Sequence, residues 1–167
     1  MPLISYIIPT IYRNQNELNR AINSIVSADP DPDIILCAGG TAAGNRNKGL
    51  KVVRGEWILF LDDDDYYLPE YYENFLNFKD ECDIIVFRMS QQSRIIPPMG
   101  YNSIGPGGVG INFGVNTEYY KSFNHEFEDM HGEDWAFIQH MHLQNPRIKY
   151  TTNVTYVAPI AQHMQRR

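Results

Sequence analysis

The chain has 167 residues, of which 43% are hydrophobic and 20% are charged, and its formal net charge at pH 7 is −6. This length and composition fit one globular domain with a buried core. The negative charge argues against a nucleic-acid partner, because a phosphate backbone requires a basic surface. The longest apolar runs are far too short to span a bilayer, and no basic-then-apolar leader opens the sequence, so we expect a cytoplasmic protein without a transmembrane segment.

The first half of the sequence alternates between short apolar runs and stretches with helical periodicity. A helix is predicted after Asn14, because Asn14 and Glu17 resemble a capping box. Further helices are predicted over about 41–53 and after Pro69, which suits the first turn of a helix. Alternation of this kind predicts an α/β fold with a mostly parallel sheet covered by helices on both faces. The predicted buried strands are 3–9, 33–40, 56–61 and 83–90.

The second half has a different composition. Eight of the twenty residues 91–110 are proline or glycine, which predicts a long loop, and such loops in compact domains are often lids or binding segments. A short element around "INFGVN", a helix from about Glu133 to Leu143 and a strand over "IKYTTNVTYVA" follow. We therefore expect a single domain over the whole chain.

Four consecutive aspartates, 62–65, follow the apolar run of the third predicted strand. Carboxylates this close repel one another unless they lie in water or share a cation. In an open α/β sheet, ligands bind at the carboxyl ends of the strands, where Pro9 and Thr10 are also expected. Asp62 and Asp64 would face one side of an extended strand end, and their oxygens suit Mg²⁺ or Mn²⁺. The alternative interpretation is an acidic surface turn.

Glu133 and Asp134 form a second acidic site at the start of a predicted helix. The simplest interpretation is that their charge complements the helix dipole. The functional interpretation is a general base, since a carboxylate near a reacting hydroxyl can take its proton. His163, beyond the last strand, could reach a metal, although a histidine there is typically just solvated.

Two other motifs are excluded by single positions. A calcium-binding EF-hand loop that starts at Asp62 would need glycine where Tyr67 stands. The glycine-rich run 105–110 lacks the lysine and the serine or threonine of a phosphate-binding P-loop.

Four segments, in order along nearly the whole chain, resemble the family 2 glycosyltransferases of the GT-A fold. The second segment is the most specific, because it resembles the family's arginine–asparagine–glycine helix, the Gly-Glu before a strand, and an Asp-X-Asp motif followed by Asp and Leu-Pro. The segments are "ISYIIPTIYRNQNELNRAINSI", "NRNKGLKVVRGEWILFLDDDDYYLP", "GGVGINFGVNTEYY" and "GEDWAFIQHM".

The resemblance implies an inverting glycosyltransferase that moves a sugar from a nucleoside-diphosphate donor, with a UDP-sugar favoured, to a hydroxyl of a glycan or other acceptor. By position, Asp134 would be the catalytic base, with Glu133 helping to position the acceptor. Asp62 and Asp64 would bind Mn²⁺ or Mg²⁺, and His163 would complete the metal or diphosphate site. The residues implied to lie around the donor are Pro9, Thr10, Arg46, Asp62 and Asp63.

The resemblance also implies that residues 1–90 form the nucleotide-sugar and metal half of one GT-A domain and that residues 91–167 form the acceptor half. The second strand ends in Cys37, where the family usually has an aspartate that recognises the base. One alternative is a non-catalytic GT-A module that binds a nucleotide or nucleotide-sugar. The other, a phosphohydrolase, is disfavoured because Tyr66 stands where that chemistry expects threonine or valine.

Overall fold

The computed structural model describes residues 1–11, 14–105, 108–123 and 125–159. Within these ranges the chain forms five helices and eight strands. None of these helices is long and apolar enough to cross a membrane. In chain order the elements are β1 (Ile4–Pro9), α1 (Gln15–Val26), β2 (Asp33–Cys37), α2 (Ala42–Leu50), β3 (Trp57–Phe60), β4 (Tyr66–Tyr67), α3 (Tyr71–Phe78), β5 (Ile84–Gln91), β6 (Arg94–Ile96), β7 (Phe113–Asn116), α4 (Thr117–Lys121), α5 (Glu133–His142) and β8 (Ile148–Ala158).

The strands form one sheet in the order β2-β1-β3-β7-β5-β8-β4, and β6 pairs with β5. Strands β1, β2, β3, β5 and β8 run in one direction, and β4, β6 and β7 run in the other. The predicted mostly parallel α/β sheet is therefore confirmed. Pro9 pairs with Cys37, so the carboxyl ends of β1 and β2 lie at the same edge.

Helix α1 begins where the sequence predicts it. The Asn14 side chain accepts hydrogen bonds from the backbone amides of Asn16 and Glu17, which satisfies two donors of the first turn. Leu18, Ala21 and Ile25 then bury one apolar face against the sheet.

Strand β3 is buried along its whole length. Trp57 is 2% exposed, and Ile58 to Leu61 are fully buried. Burial of each side chain of this size stabilises the fold by about 1.5–3 kcal/mol. This buried strand therefore fixes the position at which the aspartates begin.

Helix α2 lies directly on β1. A Cβ atom at Gly49 would lie only 2.6 Å from the Cγ2 atom of Ile7, so this close approach requires glycine. It brings Arg46, one turn earlier in the helix, beneath the carboxyl edge of the sheet.

The prediction of a long loop over 91–110 is partly wrong, because β6 lies within this range and forms a hairpin with β5. The turn places Gln92 and Ser93 at φ angles of 45° and 69°. Two left-handed residues suit a tight hairpin, but glycine or asparagine usually supplies them, so this sequence gives no clear turn signal. The buried Arg88 guanidinium anchors the next segment by donating to the carbonyls of Pro97 and Pro98.

Candidate active site

A cleft of about 390 Å³ lies at the carboxyl edge of β1, β2 and β3. Its size falls in the range of small-molecule sites. Gly39, at φ +81°, lets the chain turn from β2 into α2, and the Thr41 hydroxyl caps that helix by accepting from the Gly44 amide at 3.2 Å. The lining residues are Pro9, Thr10, Ile11, Gly40, Thr41, Ala42, Asn45, Asp62, Asp63 and Asp64.

The aspartate run forms a turn rather than an extended strand end. The Asp65 amide donates to the Asp62 carbonyl at 3.1 Å and closes the turn. The expectation that Asp62 and Asp64 face one side assumed an extended strand end, and that backbone geometry is wrong. The Thr10 hydroxyl donates to Asp63 Oδ2 at 2.5 Å, which fixes the turn against the end of β1.

Arg46 joins the two acidic sites that the sequence analysis singles out. Its Nη2 donates to Asp62 Oδ1 at 2.6 Å, and its Nη1 donates to Glu133 Oε1 at 3.0 Å. The same Nη1 lies 3.1 Å from Asp134 Oδ1. Burial alone would lower the pKa of the guanidinium, but the attraction of these three carboxylates outweighs burial and raises it.

Arg46 is only 2% exposed and does not line the cleft. The sequence analysis placed Arg46 around the donor and did not predict that its side chain pairs with carboxylates. Asp62, Glu133 and Asp134 lie 16, 87 and 88 residues away along the chain, so no local pattern signals them.

Glu133 and Asp134 differ in how Arg46 holds them. Glu133 accepts a well-directed hydrogen bond, whereas Asp134 Oδ1 is buried and has an ion pair but no hydrogen bond. Burial raises the pKa of Asp134 to about 7; Arg46 opposes this rise, and the charges of Asp62 and Glu133 add to it. A carboxylate with such a pKa can accept a proton near neutral pH.

Asp65 is distinct from its three neighbours. It is buried, and its Oδ2 accepts a 2.7 Å hydrogen bond from the Tyr156 hydroxyl. Burial, with the charge of Asp62, raises the pKa of Asp65 to about 9, so its protonated form predominates at neutral pH. Tyr156 lies on β8, 91 residues away, and the sequence analysis did not identify it.

Asp62 and Asp64 could supply carboxylate oxygens to a hard cation that shares its coordination with a ligand. Burial and the charges of Asp62 and Asp63 raise the pKa of Asp64. Among the described residues, no three His, Cys, Asp or Glu side chains gather in a way that could hold a metal. Mg²⁺ typically takes one or two carboxylates and completes its shell with water and substrate phosphates. His163 lies outside the described residues.

The family model "Glycosyl transferase family 2" matches residues 34–142, about two thirds of the chain. The chain belongs to this family. The matched region includes Arg46, the aspartate turn, Glu133 and Asp134. The resemblance that the sequence analysis describes is thereby confirmed.

Two curated relatives match short segments of the chain. An uncharacterized glycosyltransferase of Haemophilus influenzae is 51% identical over 35 residues, which are 21% of this chain and 12% of the relative. The putative glycosyltransferase EpsH of Bacillus subtilis is 45% identical over 42 residues, which are 25% of this chain and 12% of the relative. The matches therefore cover only a small part of either relative.

Solved structures share the fold at low sequence identity. Residues 1–349 of S. aureus TarS superpose with a TM-score of 0.78 at 20% identity, over 95% of this chain and 60% of that one. The mannosyltransferase PcManGT of Pyrobaculum calidifontis, solved with GDP-Man and Mn²⁺, superposes with a TM-score of 0.68 at 13% identity, over 96% of this chain and 58% of that one. The likeness confirms the GT-A fold, and this chain spans about 60% of the length of these structures.

Proposed function

We propose that this chain carries the catalytic site of an inverting, metal-dependent glycosyltransferase that transfers a sugar from a nucleoside-diphosphate donor to an acceptor hydroxyl. The observation that carries the proposal is the contact of one buried guanidinium, Arg46, with both Asp62 of the cleft and Asp134 of α5. A donor-side carboxylate and a candidate base are thus fixed to the same side chain.

The cleft supports a nucleotide donor because its walls differ in charge. The residues that follow β3 contribute three carboxylates, and those around the start of α2 are neutral: Asp62, Asp63 and Asp64 against Gly40, Thr41, Ala42 and Asn45. In our proposal the diphosphate lies at the acidic end, and the nucleoside lies against the start of α2. A bound Mn²⁺ or Mg²⁺ would supply the positive charge that lets carboxylates and diphosphate share this end and would stabilise the diphosphate as it leaves.

A UDP-sugar is the favoured donor. S. aureus TarS has been solved with UDP and with UDP-GlcNAc, and the second of these structures superposes over the whole of this chain with a TM-score of 0.77. PcManGT, solved with GDP-Man, has the lower TM-score of 0.68, and we therefore rank a GDP-sugar second.

Asp134 is the proposed base because it is the less constrained of the two acidic residues at the start of α5. Glu133 is held by a directed hydrogen bond to Arg46, whereas Asp134 has a pKa of about 7 and no such bond. As the acceptor oxygen attacks the anomeric carbon, the bond from that carbon to the diphosphate oxygen breaks. The hydroxyl proton moves to the Asp134 carboxylate, and the single displacement inverts the anomeric configuration.

The test is release of UDP from UDP-sugars with Mn²⁺, with water as the simplest acceptor, by wild type and Asp134→Asn. Removal of a general base reduces the rate by about 100-fold or more, and we expect UDP to bind the variant as it binds wild type. Asp129→Asn is the matched control, because Asp129 is an exposed carboxylate on the segment before α5. Metal-dependent UDP binding without release by wild type would favour the non-catalytic module instead.

A further inference from the structure

Asn47, next to Arg46 on α2, makes a two-way hydrogen bond with the backbone of Phe127. Its Nδ2 donates to the Phe127 carbonyl at 2.8 Å, and its Oδ1 accepts from the Phe127 amide at 2.8 Å. A side-chain amide carries both a donor and an acceptor, so one asparagine can satisfy both backbone atoms of a residue. The contact therefore fixes both the position and the orientation of the chain at Phe127.

The Phe127 side chain is also held in place, by contacts with three other side chains. Its ring stacks on Phe137 of α5 with centroids 3.8 Å apart, and it meets Phe60 of β3 edge-on at 5.3 Å. The Arg46 guanidinium carbon lies 5.4 Å from the centre of the same ring. Phe127 thus connects α2, β3 and α5.

The segment from Phe127 to Asp134 is held at its two ends by adjacent residues of α2. Asn47 holds the first end, and Arg46 holds the second through Glu133 and Asp134. The five residues between, 128–132, are all exposed. The body of α5 is anchored by its own apolar face, but the position of its first turn depends on these contacts.

We propose that Arg46 and Asn47 form a clamp that sets the position of Asp134 relative to Asp62. Both are positioning residues in this role, which rests on the function proposed above. Arg46 faces both acidic sites with the two arms of its planar fork, which a lysine ammonium cannot do. Asn47 prevents the segment that carries Asp134 from shifting along α2.

The clamp predicts a selective effect on catalysis. Asn47 does not line the cleft, so its loss should leave the donor KM unchanged. A displacement of a reacting group by about 1 Å can reduce the rate by about 100-fold. We therefore expect Asn47→Ala to lower kcat by about 10- to 100-fold at constant donor KM.

Two measurements on the full chain test the clamp, with Lys51→Gln as matched control. Lys51, directly after α2, and Glu126, directly before Phe127, form an ion pair at 3.3 Å, and both side chains are exposed. The control therefore removes a neighbouring link that is expected to be weak. The first measurement is kcat and donor KM for UDP release. The second is hydrogen exchange of the amides of residues 127–134 without ligand, where we expect about tenfold faster exchange in Asn47→Ala and no change in Lys51→Gln.

The outcomes separate the clamp from the proposed function. An unchanged kcat in Asn47→Ala, a rise in donor KM alone, or an equal loss in Lys51→Gln would overturn the clamp. If wild type releases no UDP from any donor, the proposed function fails. In that case hydrogen exchange still tests whether Asn47 holds the segment from Phe127 to Asp134. Unchanged exchange of these amides in Asn47→Ala would refute it.

Discussion

The Tyr156 hydroxyl donates a 2.7 Å hydrogen bond to Asp65 Oδ2 beneath the acidic turn. Both side chains are buried, and burial raises the pKa of Asp65 to about 9. The run of four aspartates therefore carries fewer than four negative charges at neutral pH. Tyr156 and burial together make Asp65 part of the core, and the other three carboxylates remain at the cleft.

Asp65→Asn should make the protein more stable at alkaline pH. The pKa of Asp65 is about 9 in the folded chain and 3.8 in the unfolded reference, so the folded state binds the extra proton between these values. The free energy of unfolding of wild type should therefore fall as pH rises from about 4 to 9. We expect Asp65→Asn to match wild type at pH 4 and to exceed it by several kcal/mol at pH 8, because each pH unit between the two pKa values contributes about 1.4 kcal/mol.

Urea denaturation at both pH values in metal-free buffer measures this difference. Tyr156→Phe is the control, because it removes the hydrogen bond and keeps the titrating group. A difference between Asp65→Asn and wild type that is the same at pH 4 and pH 8 would contradict the assignment of Asp65.

Arg46→Met should destabilise the fold strongly. It leaves Asp62, Glu133 and Asp134 without the buried cation that pairs with all three. Removal of one partner of a buried ion pair costs about 3–5 kcal/mol. We expect a loss of this size at pH 8, and a smaller one at pH 5.5, where Asp134 is protonated.

Lys51→Gln provides the comparison for Arg46→Met, because its exposed ion pair should contribute less than about 1 kcal/mol. Chemical denaturation of both variants gives the two values. Equal losses in the free energy of unfolding would show that Arg46 contributes no more to stability than an exposed charge does.

The rate of UDP release should fall as the pH drops below about 7. Asp134 has a pKa of about 7, raised by burial, and it can act as a base only when deprotonated. We expect kcat/KM to decrease about tenfold for each pH unit below this value and to level off above it. The check is a rate profile from pH 5.5 to 8.5 with UDP binding measured in parallel, and a profile that stays level throughout would exclude Asp134 as the base.

The sequence predicted those features that depend on local pattern. The apolar run ending at Leu61 gives β3, and Asn14 with Glu17 gives the start of α1, since periodicity and capping act over a few residues. The hairpin with β6 was missed because Gln92 and Ser93 hold backbone angles that they rarely adopt.

The network within the site could not be predicted in this way. Arg46 reaches Glu133 across 87 residues, and Asp65 reaches Tyr156 across 91. Each residue type is ordinary at its position in the sequence, and only the folded sheet brings the partners together. Sequence reasoning found the two acidic sites, and the structure supplies the side chain that joins them.

The most direct test of the central claim is calorimetric titration of UDP, GDP and CMP, each with and without Mn²⁺, into wild type and Asp64→Ala. Asp129→Asn serves as the exposed-carboxylate control. We predict that UDP binds wild type and the control only with Mn²⁺ and that Asp64→Ala loses this binding. Failure of all three nucleotides to show metal-dependent binding, or equal binding by Asp64→Ala, would contradict a donor site at the acidic turn.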